Sequence, residues 1–363
     1  MEHMGQYTMH IQIDLKEKTS YYTSMNMTRE YFGTAADGTR VDSITIENSS
    51  GASIKVITYG ARLISCRMPD RNGNLGELIT GKQDIKRYEK DLPFHGATIG
   101  RYANRIAEGR FDINGEQFEL VKNHKLFQLH GGPGGFHQKV WDAYPIRLED
   151  RGTVKFCLTS PDGDQGFPGK LDVSVSVTLT EAQEVIFLYE ADTDKDTYTS
   201  LTNHAFWNLC GKDDSPEIHG HLLQLSSSRY VEVGQDLLPT GMLMPADGSP
   251  FDFRTAKEIG RDLRNIEGFD GYDHNFVMKS EQTSTLIDAA KVEEPVSGRV
   301  MVIRTTAPGV QFYSDTYSNP PFRGFCLEAG ELPDAMHHSN FPQPLHIQGD
   351  TYRQVTVHSF SVK

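Results

Sequence analysis

The sequence has little that would place the chain in or across a membrane. No stretch approaches the roughly 18 consecutive apolar residues of a membrane-spanning helix. The first residues, MEHMGQYTMHIQIDLKEKTS, also lack the apolar segment of a secretory signal. We therefore expect a cytoplasmic protein that has no membrane partner.

Cysteine and positive charge are scarce as well. The four cysteines, Cys66, Cys157, Cys210 and Cys326, show no CxxC spacing, which favours isolated reduced thiols over disulfides or a zinc site. The 36 lysines and arginines stand against 49 aspartates and glutamates, and the net charge of -13 would repel the phosphates of a nucleic acid. We expect a small neutral molecule as the partner of a monomer or homodimer.

Motifs for bound phosphate, metal ions or covalent catalysis are also missing. HGGPGGFHQK has neither of the glycine spacings that cradle a nucleotide, and DTDKDTYTSLTN departs from a calcium loop at Thr197 and Asn203. The histidines of HGH (219–221) and of the pair at 337–338 come without a third metal ligand, and there is no GxSxG nucleophile motif. The sequence thus predicts no metal, no nucleotide and no other cofactor.

Short segments with alternating apolar residues are what the chain does contain. LDVSVSVTLT (171–180) is the clearest strand, and similar segments follow and precede it between turn residues. Helical periodicity is limited to RTAKEIGRDLRNI (254–266) and GKQDIKRYEK (81–90). These patterns predict an all-β fold, a large antiparallel sandwich formed by residues 29–363, preceded by an N-terminal extension, residues 1–28.

Two strand-like segments carry ionisable groups opposite apolar residues. In SLTNHAFWNL (200–209) the alternation places Thr202, His204 and Phe206 on one face, and in GFCLEAGELPDA (324–335) it places Glu328 opposite apolar neighbours. A histidine and a glutamate projecting from strands are the minimum pair for general acid and base catalysis on a neutral molecule.

Taken together, these segments resemble the aldose 1-epimerase (galactose mutarotase) family. The likeness runs from about residue 30 to the C-terminus through GRYANRI, LHGG, DGDQGFPGKLDVSVSVTL, TNHAFWNL, GYDHNF, GVQFYS and GFCLEAGELPDA. It implies a β-supersandwich with an open sugar cleft and catalysis without a cofactor, in which His204 is the general acid and Glu328 the general base. The sugar-binding residues that it implies are Asn104, Arg105, His130, Asp273 and Gln311.

Phe206 has two interpretations. It could stack against the apolar face of a sugar, or it could pack between strands.

The residues around the matched positions differ from the family's usual pattern, with Ala205 and Trp207 beside the histidine and Gly330 after the glutamate. The acid and the base themselves are retained.

The chemistry that this pair could perform is the interconversion of sugar anomers. Removal of the C1 hydroxyl proton by Glu328 and protonation of the ring oxygen by His204 would open the hemiacetal of an aldose such as galactose or glucose. With ordinary pKa values, the pair would act as an ionised Glu328 and a protonated His204.

Two alternatives belong to other functional classes. A noncatalytic sugar-binding or regulatory protein could use the same cleft without accelerating mutarotation. A glycoside hydrolase would need two carboxylates, for which Asp273 is the nearest candidate beside Glu328.

Overall fold

The computed structural model describes residues 25–81, 84–91, 93–211, 216–279 and 284–363. Of the predicted extension, residues 1–28, the part up to residue 24 lies outside the described residues. The first strand begins at Asn26, within the predicted extension. In the described part of the chain no helix is both long enough and apolar enough to cross a membrane.

Strands dominate the described residues, as the alternating segments predict. The first half of the chain forms β1 (Asn26–Thr34), β2 (Arg40–Glu47), β3 (Ser53–Ile57), β4 (Arg62–Pro69), β5 (Leu75–Glu77), β6 (Thr98–Ile99), β7 (Arg105–Ala107), β8 (Arg110–Ile113), β9 (Glu116–Glu119), β10 (Phe127–Leu129), β11 (Asp142–Arg147), β12 (Arg151–Ser160), β13 (Leu171–Thr180) and β14 (Glu184–Thr193). The second half forms β15 (Thr197–Tyr198), β16 (Thr202–Asn203), β17 (Leu222–Leu225), β18 (Arg229–Val233), β19 (Pro239–Pro245), β20 (Lys257–Glu258), β21 (Asp273–Val277), β22 (Ile287–Glu293), β23 (Arg299–Thr305), β24 (Gly309–Tyr313), β25 (Cys326–Gly330), β26 (Leu345–His346) and β27 (Thr351–Val362).

Helical structure is limited to short pieces. The α-helix α1 (Ile85–Glu89) confirms the helix predicted within 81–90, and Asp84 caps its N-terminus. The 3₁₀ turns are Phe136–Gln138, Asp164–Gly166, Ile218–Gly220, Ile259–Asn265 and Ala335–His337.

The helix predicted over 254–266 is wrong in type, because β20 and a 3₁₀ turn occupy this segment. Lys257 pairs with Leu223 at the edge of the large sheet, and its Nζ donates to the Pro250 carbonyl (2.6 Å) and to Asp262 (2.7 Å). The pairing with the distant Leu223 overrides the local helical pattern, although Ile259 and Leu263 are buried as the pattern predicts.

Among the described residues, three large antiparallel sheets and four two-stranded ones organise the protein. Nine strands form the order β11-β12-β13-β14-β27-β23-β22-β17-β20, and two sheets of five strands have the orders β1-β2-β3-β4-β5 and β19-β18-β21-β24-β25. The main apolar core takes residues from Met25 to Phe360, including the inward face of β13. The all-β, antiparallel prediction is therefore confirmed.

A buried ion pair joins the start of β4 to a loop and to a 3₁₀ turn. Arg62, at the start of β4, is fully buried and its Nη1 lies 3.2 Å from an oxygen of Asp91. The same guanidinium donates to the backbone carbonyls of His95 (2.7 Å) and His137 (3.2 Å). Asp91 in turn accepts from the His95 backbone N–H (2.6 Å), so the pair fixes the loop that carries His95.

We expect Asp91→Asn to lower the free energy of unfolding by about 3–5 kcal/mol, because Arg62 would keep its charge in the interior without a counter-ion. Urea unfolding followed by circular dichroism measures the loss. The matched control is Asp84→Asn at a half-exposed helix cap, where asparagine also caps well and a change within about 0.5 kcal/mol is expected. If Asp91→Asn lowered the free energy of unfolding as little as Asp84→Asn, the carbonyl oxygens alone would compensate the charge of Arg62.

Candidate active site

One face of the sheet that contains β21, β24 and β25 carries polar side chains. Gln311 in β24 lies directly opposite Glu328 in β25, and Asp273 in β21 lies opposite Tyr313 in β24. Because residues two apart on a strand and opposite each other across strands share a face, all four side chains project to the same side of the sheet.

The segment that carries His204 is less regular than its alternation predicts. The strand predicted over 200–209 contains only the two residues of β16, and beyond them Trp207 makes isolated bridges to Ile79 and Phe325. The His204 backbone is nevertheless fixed, since its N–H donates to Ala97 (2.9 Å) and its carbonyl accepts from Gly96 (2.8 Å). The extended segment crosses between separate pieces of sheet, so its hydrogen bonds do not form one ladder.

Phe206 packs in the interior and does not line the cavity described below. Its side chain is fully buried, with its ring stacked on that of His95 (centroids 4.4 Å apart) and on that of His204 (5.2 Å). This placement favours the packing interpretation over the sugar-stacking one. Phe206 holds the His204 ring from behind.

Two loops bring the remaining predicted residues to the sheet. Asn104 and His130 both have left-handed backbone angles, with φ of 68° and 52°, a strained conformation that often occurs at functional sites. The Asn104 N–H donates to Nδ1 of His130 (3.1 Å), and its side-chain oxygen accepts from the Arg105 N–H (2.9 Å). Since Nδ1 of His130 accepts, the neutral ring carries its proton on Nε2.

The loop and the sheet are joined by an ion pair. Nη2 of Arg105 lies 2.8 Å from one carboxylate oxygen of Asp273, and the side-chain amide of Gln311 donates to the other oxygen (2.7 Å). The attraction of Arg105 and these hydrogen bonds outweigh the effect of burial and hold the pKa of Asp273 below its usual value. Asp273 is therefore an ionised carboxylate with both oxygens bonded.

These side chains surround a cavity of about 490 Å³, a volume in the range of small-molecule sites. Its walls are formed by Pro93, Phe94, Asn104, Arg105, Leu129, His130, His204, Asp273, Gln311, Tyr313, Tyr317 and Glu328. Seven of the eight residues predicted from the sequence thus line one cavity, and Phe206 is the exception.

His204 and Glu328 face each other at this cavity, and both are almost completely buried. Nε2 of His204 lies 3.5 Å from a carboxylate oxygen of Glu328, and its Nδ1 lies 3.5 Å from Sγ of Cys326. Burial lowers the pKa of His204 to about 4, and the charge of His95 acts in the same direction. Burial also raises the pKa of Glu328 well above its usual value, an effect that Asp273 increases and Arg105 opposes. Because burial disfavours both charged forms, the pair prefers a neutral His204 and a protonated Glu328.

The arrangement could also hold a cation. His130, His204 and Glu328 offer ligand atoms that all lie within 4.8 Å of one another, a combination of two imidazoles and a carboxylate that suits several divalent metals. Burial and the charges of His204 and Arg105 lower the pKa of His130 well below its usual value, so its imidazole is neutral.

Sequence reasoning did not identify the aromatic walls or the groups behind the histidine. Phe94 packs its ring against His130, His137 and His204, with centroids 4.8, 4.7 and 5.9 Å apart. Nδ1 of His95 lies 2.8 Å from Asp91, which orients the ring that stacks on Phe206. The short segment LPFHG carries Phe94 and His95 but has no periodicity that would mark either one.

Comparison with known proteins agrees with this geometry. Residues 42–359 match the family model described as aldose 1-epimerase. The galactose mutarotase of Rattus norvegicus is 34% identical over 349 residues, which cover 93% of this chain and 99% of the relative, and the aldose 1-epimerase of Escherichia coli is 34% identical over 344 residues, covering 90% and 97%. The crystal structure of a galactose 1-epimerase from Lactobacillus acidophilus superposes with a TM-score of 0.82 at 25% identity and covers 93% of this chain and 99% of that one. By its sequence and its fold, this chain belongs to the aldose 1-epimerase family.

Proposed function

We propose that this protein is an aldose mutarotase, which interconverts the α and β anomers of free aldoses such as galactose or glucose. The observation that carries the proposal is the buried pair of His204 and Glu328, 3.5 Å apart, at a cavity lined by groups that bind hydroxyls. Relatives of about the same length are named galactose mutarotase and aldose 1-epimerase.

The reaction needs two proton transfers at neighbouring oxygens of the sugar. Glu328 removes the proton of the C1 hydroxyl, while His204 protonates the ring oxygen, and the C1–ring oxygen bond breaks to give the open-chain aldehyde. Rotation about the C1–C2 bond presents the other face of the carbonyl group. Ring closure with the reverse proton transfers then yields the opposite anomer, with no net oxidation or hydrolysis.

The productive form of the pair carries its single proton on His204, because Glu328 must be a carboxylate to accept a proton. Burial prefers the neutral form, and two neighbouring charges modify this balance. The negative charge of Asp273 raises the pKa of both His204 and Glu328, and the positive charge of Arg105 lowers the pKa of Glu328. Asp273 therefore assists the acid, and Arg105 assists the base by opposing the effects of burial and of Asp273 on Glu328.

The other polar groups of the cavity are assigned to binding. Asn104, Arg105, His130, Asp273 and Gln311 lie around the same space and offer both donors and acceptors to sugar hydroxyls. Asp273 is poorly suited to be the second carboxylate of a glycoside hydrolase, since both its oxygens are already bonded to Arg105 and Gln311. The cytoplasmic location, the monomeric or dimeric state and the division at residue 29 stay predictions from the sequence.

Replacing either member of the pair tests the roles directly. We expect Glu328→Gln and His204→Asn each to lower kcat by about 10²–10⁴-fold, the usual contribution of general acid or base catalysis, while sugar binding largely persists. Polarimetry of freshly dissolved α-galactose and α-glucose measures the rate. Glu331→Gln, a buried glutamate three residues further on that does not line this cavity, is the matched control and should keep full activity.

A folded Glu328→Gln or His204→Asn variant that kept more than about a tenth of the wild-type kcat would refute the role assigned to that residue. A wild-type protein that binds aldoses but leaves mutarotation at the solvent rate would instead be the noncatalytic sugar-binding protein.

The pH dependence should follow from the proton count of the pair. As the pH falls through about 4, a second proton binds to His204 while Glu328 is already protonated, so no base remains. As the pH rises through the raised pKa of Glu328, the single proton is lost and no acid remains. We expect a bell-shaped profile of kcat/KM, measured after subtraction of the uncatalysed rate at each pH. An acid limb centred at the ordinary histidine pKa of about 6.5 would contradict this assignment.

Exhaustive dialysis against a metal chelator should leave kcat unchanged within error, because the proposed mechanism needs only proton transfer by His204 and Glu328. The same samples, checked for metal content by atomic emission, serve as their own control. Loss of activity that one added divalent metal restores would show that His130, His204 and Glu328 act as metal ligands.

A further inference from the structure

A second cavity lies beyond the end of β25 and shares no wall residue with the active-site cavity. Its volume is about 370 Å³. Its walls include Thr199, Thr306, Glu331, Pro344, His346 and Tyr352.

Glu331 is the unusual group in this cavity. It is only 5% exposed, and its backbone N–H donates to the Ser200 hydroxyl (3.3 Å). Its carboxyl group has no hydrogen bond or ion pair with any side chain or backbone group in the part of the chain that the structure describes. Because Glu331 lines the cavity, the hydrogen-bond partners of its carboxyl group must come from the occupant of the cavity.

The neighbouring hydroxyl groups direct their protons elsewhere. Tyr102 donates to the Leu332 carbonyl (2.9 Å), and Tyr352 donates to the side chain of Gln354 (2.7 Å). Both tyrosines lie close enough for the charge of Glu331 to raise their pKa values. Neither hydroxyl proton is therefore available to Glu331.

The histidine and the arginine on the cavity wall are also engaged. Nδ1 of His346 contacts the Thr199 hydroxyl (3.1 Å), and its Nε2 contacts the Asp350 carbonyl (2.9 Å). The Arg353 side chain is 62% exposed and lies 3.6 Å from Glu190, so it points to solvent. No cation among the described residues compensates Glu331, and Asp350 adds a further negative charge to the wall.

We propose that this cavity binds a small organic cation, whose ammonium group pairs with Glu331 and whose carbon atoms pack against Pro344, Leu345 and Val355. An ammonium group brings the charge and the three N–H donors that the carboxylate lacks. A bare metal ion fits less well, because it needs several oxygen ligands and the other polar groups on the wall already have partners.

Occupation of the cavity has a measurable proton linkage. Burial raises the pKa of Glu331 to about 8, so most of the unliganded protein carries a proton there at neutral pH. An ammonium ligand binds the carboxylate form, and the bound protein must therefore release close to one proton. Above pH 8 the carboxylate is already ionised, so the release should fall towards zero.

The experiment uses n-butylammonium chloride as the probe and 1-butanol, which has the same carbon chain but no charge, as its matched control. Binding is measured by ligand-observed NMR, and proton release by calorimetry in buffers of different ionisation enthalpy. We expect the wild type to bind the amine saturably and the alcohol at least about tenfold more weakly, as loss of a charge-assisted hydrogen bond implies.

Two variants separate this cavity from the active site. Glu331→Gln should weaken amine binding at least about tenfold and keep full mutarotation, which also shows that it is folded. Glu328→Gln should do the reverse. The proposal would be overturned if the wild type and Glu331→Gln bound the amine equally, or if the amine and the alcohol bound equally. It would also be overturned if no saturable binding were seen, and water would then be the occupant. If Glu331→Gln fails to fold, wild-type binding without proton release at neutral pH overturns it as well.

Discussion

The ion pair between Arg105 and Asp273 is the contact on which the candidate active site depends. It joins a loop at the start of β7 to the first residue of β21, 168 positions later in the chain, and Gln311 holds the second oxygen of the carboxylate. Both side chains are mostly buried, so their fields are weakly screened. Arg105 favours the carboxylate form of Glu328, whereas Asp273 favours the protonated forms of both His204 and Glu328. One contact therefore joins the loop to the sheet at the cavity and shifts the pKa values of its two proton-transferring groups.

The groups behind the cavity explain why the acid is well positioned although it lies in an irregular segment. Phe206 is held between the rings of His95 and His204, and His95 is oriented by Asp91. Asp91 is in turn paired with the fully buried Arg62. Packing and hydrogen bonds of this kind replace the continuous ladder that a regular strand would provide.

Glu328 and Glu331, three residues apart, show how one physical effect gives two different sites. Burial raises the pKa of each carboxyl group. Glu328 faces His204 and feels the charge of Arg105, whereas the carboxyl group of Glu331 faces a separate cavity with no partner among the described residues. The first arrangement suits proton transfer, and the second is the site that we propose for an ammonium ligand.

The sequence by itself determined the all-β class and the strand over 171–180, because alternation is a local property of the chain. The family resemblance of its short motifs indicated seven of the twelve residues that line the cavity. It did not determine where Phe206 points or that 254–266 forms a short strand and a 3₁₀ turn, since contacts with distant residues decide both. Only the tertiary structure brought His204 within 3.5 Å of Glu328 and buried them together. That burial reverses their ordinary pKa values, because the loss of water disfavours each charged form and no sequence pattern records solvent access.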